Sequence, residues 1–153
     1  MKSAQKFGII SGLFSGLWMV TEFYLGLHDR PEGRYTGYLG LMVFTVCIVL
    51  SIFYTREKEM NGYITFKLAW RSGIITAVIS ALITSLFYFI YCKWLNPDWM
   101  MKQLPTPKPE DIAKAKSIGG LIQMCFFLSA ATTLMGTFLA ALFSILMRKE
   151  KIL

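Results

Sequence analysis

Four stretches of this chain, at residues 7–27, 35–54, 72–95 and 118–147, are long, apolar and almost free of charge. A hydrocarbon core about 30 Å thick is crossed by about 20 helical residues at 1.5 Å each. Lipid offers no water to the backbone, so each stretch must satisfy its own N–H and C=O groups as an α-helix. The other spanning solution, a β-barrel, needs strands of about ten residues that alternate polar and apolar, and this chain lacks that alternation. The expected fold class is an all-α membrane protein, a four-transmembrane-helix bundle forming a single membrane domain over 1–153. Composition agrees: 55% of residues are hydrophobic and 16% are charged, well below the usual quarter.

The 7–27 stretch follows Lys2 and Lys6 and precedes His28-Asp29-Arg30-Pro31. It is too long for a signal-peptide core of about 7–15 residues, and no small-residue cleavage pattern follows, so it reads as a retained helix. Span three is closed by Asn96-Pro97-Asp98, where Pro97 cannot continue a helix. Span four, 118–147, exceeds a straight crossing and is expected to tilt or project.

An even number of spans puts both termini on one side. With the termini inside, Lys2, Lys6, Arg56, Lys58, Lys67, Arg71, Arg148, Lys149 and Lys151 face the cytoplasm, against Arg30, Arg34, Lys93, Lys102, Lys108, Lys114 and Lys116 outside. The compact basic tail 148–151 directly adjoins a span, and short flanking segments weigh most in setting orientation. The expectation is a multi-pass protein of the bacterial inner membrane with cytoplasmic termini. The net charge of +7 is then a topology signal that meets anionic headgroups. Nucleic acid is excluded as a partner because no soluble domain carries a basic patch with interleaved aromatics.

In the inner loop, Thr55-Arg56-Glu57-Lys58-Glu59 must be wet and Asn61-Gly62 signals a turn. Residues 63–71 mix Ile64, Phe66, Leu68 and Trp70 with Lys67 and Arg71, four apart and so on one helical face. This predicts a short interfacial helix before span three. A strand there would have nothing to pair with. The outer loop, 96–117, contains Pro105, Pro107 and Pro109, which favour an extended stretch. Pro109-Glu110-Asp111 then resembles a helix start that could run into span four. Tyr24, Tyr35, Tyr38, Tyr54, Trp70, Trp94 and Trp99 sit near span ends as an aromatic belt.

Small residues recur at every fourth position: Gly8, Gly12 and Gly16 in span one; Gly73, Ala77, Ala81 and Ser85 in span three; Gly136, Ala140 and Ser144 in span four. Such ridges let helix backbones approach closely, either within one bundle or across a dimer face. Glu22 is the one acid inside a span. A carboxylate in hydrocarbon must find a partner or protonate. Lys93 lies at a comparable depth and Tyr24 is near, so Glu22, Lys93 and Tyr24 form the candidate intramembrane polar site.

Cys47, Cys92 and Cys125 lie singly in apolar runs and the chain has one histidine, His28. This argues against a disulfide framework or a zinc site, and no cofactor is implied. No catalytic motif appears; His28, Asp29 and Glu32 could at most form a small outer site.

The whole chain resembles a family of small bacterial four-helix integral membrane proteins known as a domain of unknown function. Arg56-Glu57-Lys58-Glu59-Met60-Asn61-Gly62-Tyr63-Ile64-Thr65-Phe66 is similar to that family's charged-then-glycine linker. Phe66-Lys67-Leu68-Ala69-Trp70-Arg71-Ser72-Gly73 resembles the start of its third span, and Tyr91-Cys92-Lys93-Trp94-Leu95-Asn96-Pro97-Asp98 its aromatic exit. The 96–117 loop is shorter than is common there. The resemblance implies a four-helix fold and a cell-membrane location, and no activity.

The leading functional expectation is a non-enzymatic accessory or structural subunit that binds the bilayer and other membrane proteins or a second copy of itself. The alternative is a small oligomeric transporter or channel, with Glu22, Thr21, Tyr24 and Lys93 lining a pathway. An intramembrane enzyme acting on lipid, using His28 and Asp29, is the remote third. A cavity reaching Glu22 discriminates between the first two.

Overall fold

The computed structural model describes residues 1–27, 33–99, 110, 113 and 117–149. Four helices make up the fold: α1 (Lys2–Tyr24), α2 (Gly33–Tyr54), α3 (Phe66–Ile90) and α4 (Ile118–Met147). All four are long and apolar enough to cross a membrane, the architecture of a multi-pass membrane protein. Helices α2 and α3 each run on into one π-helical turn, at Thr55–Glu59 and Tyr91–Leu95.

The helix starts have local causes. Thr65 is extended and its hydroxyl accepts from the Leu68 N–H at 3.4 Å, which caps α3. No glycine or proline separates Phe66 from Arg71. The segment expected as a short interfacial helix is therefore continuous with α3, with Lys67 and Arg71 both exposed on it. Ser117 caps α4 in the same way, its hydroxyl accepting from Gly120 N–H at 3.0 Å. Its extended backbone, φ −72° and ψ 151°, interrupts any helix entering span four from Glu110, correcting that expectation. The triple-proline stretch, Pro105, Pro107 and Pro109, lies outside the described residues, as do His28, Asp29 and Glu32.

Helix α1 begins at Lys2, earlier than expected. It has no side-chain cap of its own. Instead Glu59, in the turn after α2, accepts from the Ser3 N–H at 2.7 Å and lies 2.6 Å from the Met1 amine. This places negative charge on unsatisfied donors at the positive end of α1. Replacing Glu59 with alanine is expected to cost about 1 kcal/mol, the scale of a lost helix cap, in unfolding titrations in mixed micelles. No change would mean that this contact contributes nothing.

The loop expected to be unpaired also finds a partner. Ile64 and Lys149 exchange N–H···O bonds of 2.9 and 3.0 Å in a one-residue antiparallel bridge. Arg56 donates to the Met147 carbonyl at 3.3 Å. Asn61 and Gly62 turn the chain with φ of 51° and 85°, a conformation that favours glycine and asparagine. These contacts gather Ser3, the 55–65 linker and Lys149 at one end of the bundle, the clasp end.

In cross-section the bundle is a rhombus. Helices α2 and α3 form the short diagonal, and each packs on both α1 and α4. The glycine ridges are used at these contacts. A methyl group on Gly8 would meet Ile79 Cβ at 2.9 Å and the Thr76 carbonyl oxygen at 2.9 Å. One on Gly12 would meet Ile83 Cβ at 2.7 Å, and one on Gly16 the Phe87 ring. Helices α1 and α3 thus run parallel, with isoleucine and phenylalanine filling the glycine groove. Across the antiparallel α3–α4 contact, Gly73 meets Ala140 and Gly136 meets Ala77. Phe44 of α2 packs onto the same crossing, 2.7 Å from a methyl placed on Gly136. The core here is Phe44, Ile48, Ile52, Ile64, Ala69, Ala77 and Ala140.

Buried hydroxyls join the helices between these ridges. Ser72 meets Ser51 at 3.0 Å and Thr55 at 2.9 Å. Thr76 donates to the Ala4 carbonyl at 3.1 Å, and Ser80 donates to Ser11 Oγ at 3.0 Å. Such bonds add modest, direction-specific attraction where helices have no hydrophobic drive to associate.

Candidate functional site

The α3 residues Ser72, Thr76, Ser80, Thr84 and Tyr88 recur every fourth position and so share a face. At the clasp end that face is spent on the hydroxyl bonds above. Beyond Ser80 it opens into a cavity of about 420 Å³ between the four helices. The volume lies within the usual range for small-molecule sites. Ser15, Trp18, Met19 and Glu22 line it from α1, and Gly37, Gly40, Leu41 and Phe44 from α2. Ser80, Thr84 and Tyr88 of α3, Ala131, Thr132 and Met135 of α4, and Trp99 complete the wall.

Helical spacing explains the lining. Residues 15, 18, 19 and 22, and residues 37, 40, 41 and 44, are each one face of a 3.6-residue helix. Phe44 forms the floor because its ring is fixed on Gly136 and Ala77. At the other end Tyr91, Cys92 and Leu121 form a second buried cluster with Met19, Phe23, Tyr88 and Trp99 packed on it. Tyr91 meets Phe23 and Trp99 edge-on, at 5.7 and 6.0 Å between ring centres. Asn96 donates to the Tyr91 hydroxyl at 3.0 Å.

Glu22 is 6% exposed and contributes the carboxylate of the cavity wall. Trp18, one turn earlier, donates its indole N–H to Glu22 Oε1 at 2.8 Å and to the Thr36 carbonyl at 3.1 Å. One donor thus ties the acid to α2. A carboxylate offers about four acceptor positions, so Glu22 can take a donor on a guest molecule as well as the indole.

The expected trio is not brought together. Among the described residues no ion pair joins Glu22 to Lys93. The Lys93 ammonium instead lies over the rings of Phe89 and Trp94, 5.7 and 5.1 Å from their centres. The π-helical turn at Tyr91–Leu95 carries Lys93 to the exposed surface. Tyr24 is 76% exposed, and Thr21 donates to the Leu17 carbonyl of its own helix at 2.9 Å. Only Glu22 of the expected pathway residues lines the cavity. Gly8, Gly12, Gly16, Gly73, Ala77, Gly136 and Ala140 all lie at contacts inside the bundle.

Two members of the expected aromatic belt have inward contacts. Trp99 lines the cavity, and Trp70 donates to the Thr137 carbonyl at 3.2 Å. Tyr24, Tyr35, Tyr38 and Trp94 are exposed. The thiols are separate, with Cys125 donating to the Ser85 carbonyl at 3.5 Å. Among the described residues no cluster of His, Cys, Asp or Glu could hold a metal ion. Sequence reasoning missed Trp18, Thr84 and Tyr88. The four-residue period of hydroxyls along α3 was the available signal.

A family profile described as "Protein of unknown function (DUF4199)" matches residues 6–149. This agrees with the resemblance read from the linker and from the two ends of span three, which was also to a family of unknown function. No curated protein and no solved structure matches the chain.

Proposed function

The chain belongs to this DUF4199 family, and we propose that it acts by binding, taking a small molecule into the cavity around Glu22. The cavity's reach to Glu22 is the observation that carries this reading. It moves the balance from a purely structural subunit toward a carrier or receptor of a small ligand. The glycine ridges that supported docking of other membrane proteins are occupied inside the bundle. The pathway residues are reassigned from Thr21, Tyr24 and Lys93 to Trp18, Thr84 and Tyr88. The mode of action in this reading is non-enzymatic.

The setting we propose is a bacterial inner membrane with both termini cytoplasmic. Lys2, Lys6, Lys58, Lys67, Arg71, Arg148 and Lys149 are all exposed at the clasp end, the side that the basic bias assigns to the cytoplasm. The cavity then occupies the outer half of the membrane.

Thiol labelling tests the binding site. In a chain with Cys47, Cys92 and Cys125 replaced by alanine, Thr84→Cys is expected to react with N-ethylmaleimide in native membranes. Thr76→Cys, one turn away but fully buried between α1 and α3, is expected to stay unlabelled. Equal protection of both positions would mean that no molecule enters, and the reading would fall.

A further inference from the structure

The walls of the cavity are unequal. Glu22 and Ser80 are buried, whereas Gly37 and Leu41 of α2 and Ala131 and Met135 of α4 are exposed. Leu41 is 36% and Met135 43% exposed. A methyl group added to Gly37 would meet nothing within 4 Å. One α-helical turn below Leu41 and Met135 the two helices close again, where the Phe44 ring packs onto Gly136. The opening is therefore a lateral gap between α2 and α4, at the depth of the apolar spans and bounded below by Phe44.

A ligand that enters there comes from lipid. From the floor to Glu22 the cavity is lined mainly by Phe44, Leu41, Met135 and Met19, which suit an alkyl chain. At its far end stands a carboxylate whose chemistry is to accept hydrogen bonds. From Ser80 to Tyr88 the helix advances about 12 Å, room for a medium-length chain. We propose that this cavity takes a single-chain amphiphile with an N–H-bearing ammonium head from the surrounding bilayer, through the α2–α4 gap. The chain lies toward Phe44 and the head donates to Glu22. Charge and polarity are complementary at both ends: an anionic head would face Glu22, and a head without N–H would leave that acceptor unmet. This proposal rests on the reading of the cavity as the binding site.

The test uses the full chain in phosphatidylcholine nanodiscs. Trp18 and Trp99 line the cavity and report on it by fluorescence. Bromododecylamine is titrated, with dodecylamine as the non-quenching competitor. The expected result is a saturable quenching component, above the linear component from chains dissolved in lipid, and its displacement by dodecylamine. Dodecyltrimethylammonium, which keeps the charge and lacks N–H, is expected to compete at least about tenfold more weakly. Glu22→Gln is expected to weaken the amine by a similar factor. Gly37→Phe, which has room in the folded protein, is expected to suppress the saturable component by filling the gap, and it keeps the test valid if the Glu22 variant misfolds.

Dodecanoate competing as well as dodecylamine would overturn the assignment of the head group. Undiminished saturable binding in Gly37→Phe would overturn the lateral gap. Labelling of Thr84→Cys together with purely linear quenching would leave the cavity reading standing and refute the amphiphile. Failure of both would refute both.

Discussion

Gly73→Ala is expected to destabilise the bundle by about 1–3 kcal/mol, the cost of forcing a methyl group into a packed contact. The added carbon would fall on the Ala140 methyl and 3.2 Å from the Ala140 Cα. Helix propensity alone would favour alanine by about 1 kcal/mol, so a net loss isolates the steric term. The second half of the prediction is compensation. Ala140→Gly removes the opposing methyl, and the double variant Gly73→Ala/Ala140→Gly is expected to recover more than half of the loss. The propensity changes cancel in the pair, which makes this a clean double-mutant cycle. Unfolding in mixed micelles measures all four corners. Additive losses would mean that the α3–α4 crossing is looser than the structure shows.

The second large effect is at the parallel α1–α3 contact. Gly12→Leu is expected to abolish the folded bundle or cost 3 kcal/mol or more, beyond ordinary overpacking. Its Cβ would press on Ile83 at 2.7 Å and on the Ser80 carbonyl oxygen at 3.1 Å. Separating the helices there also stretches the 3.0 Å bond from Ser80 to Ser11. Gly37→Leu is the matched control, because the same substitution meets open space and improves helix propensity. It is expected to leave stability unchanged or slightly raised. If the two variants behaved alike, the difference between a buried ridge and an open wall would be refuted.

The helices were legible because lipid removes alternatives. A run of apolar residues in hydrocarbon has the α-helix as its only unclosed solution, so spans two and four were bounded within a few residues. Boundaries set by distant partners were not legible. The early start of α1 depends on Glu59, which is remote in sequence, and the pairing of Ile64 depends on Lys149. The fusion of 63–71 into α3 turned on Thr65, a capping residue that the alternating pattern around it obscured.

The site was legible in its one anomalous residue. Glu22 stood out as an acid in hydrocarbon, and the cavity reaches it. Its partner was misread because depth was used as a proxy for proximity: Lys93 shares the depth but turns outward over Phe89 and Trp94. Trp18, at i−4 on the same face, was the nearer donor. The cavity itself leaves no trace in any single run, since it arises from the angle between α2 and α4. That angle follows from Phe44 wedging on Gly136, a contact between residues distant in sequence.

The clasp has a consequence for the order of biosynthesis. The linker that binds Ser3 through Glu59 emerges midway through translation, whereas its other partners, Met147 and Lys149, are made last. The first two helices can therefore be joined while the chain is still being extended. The linker's second set of bonds must wait until α4 has crossed, so insertion of the final helix is the event that seals this end of the protein.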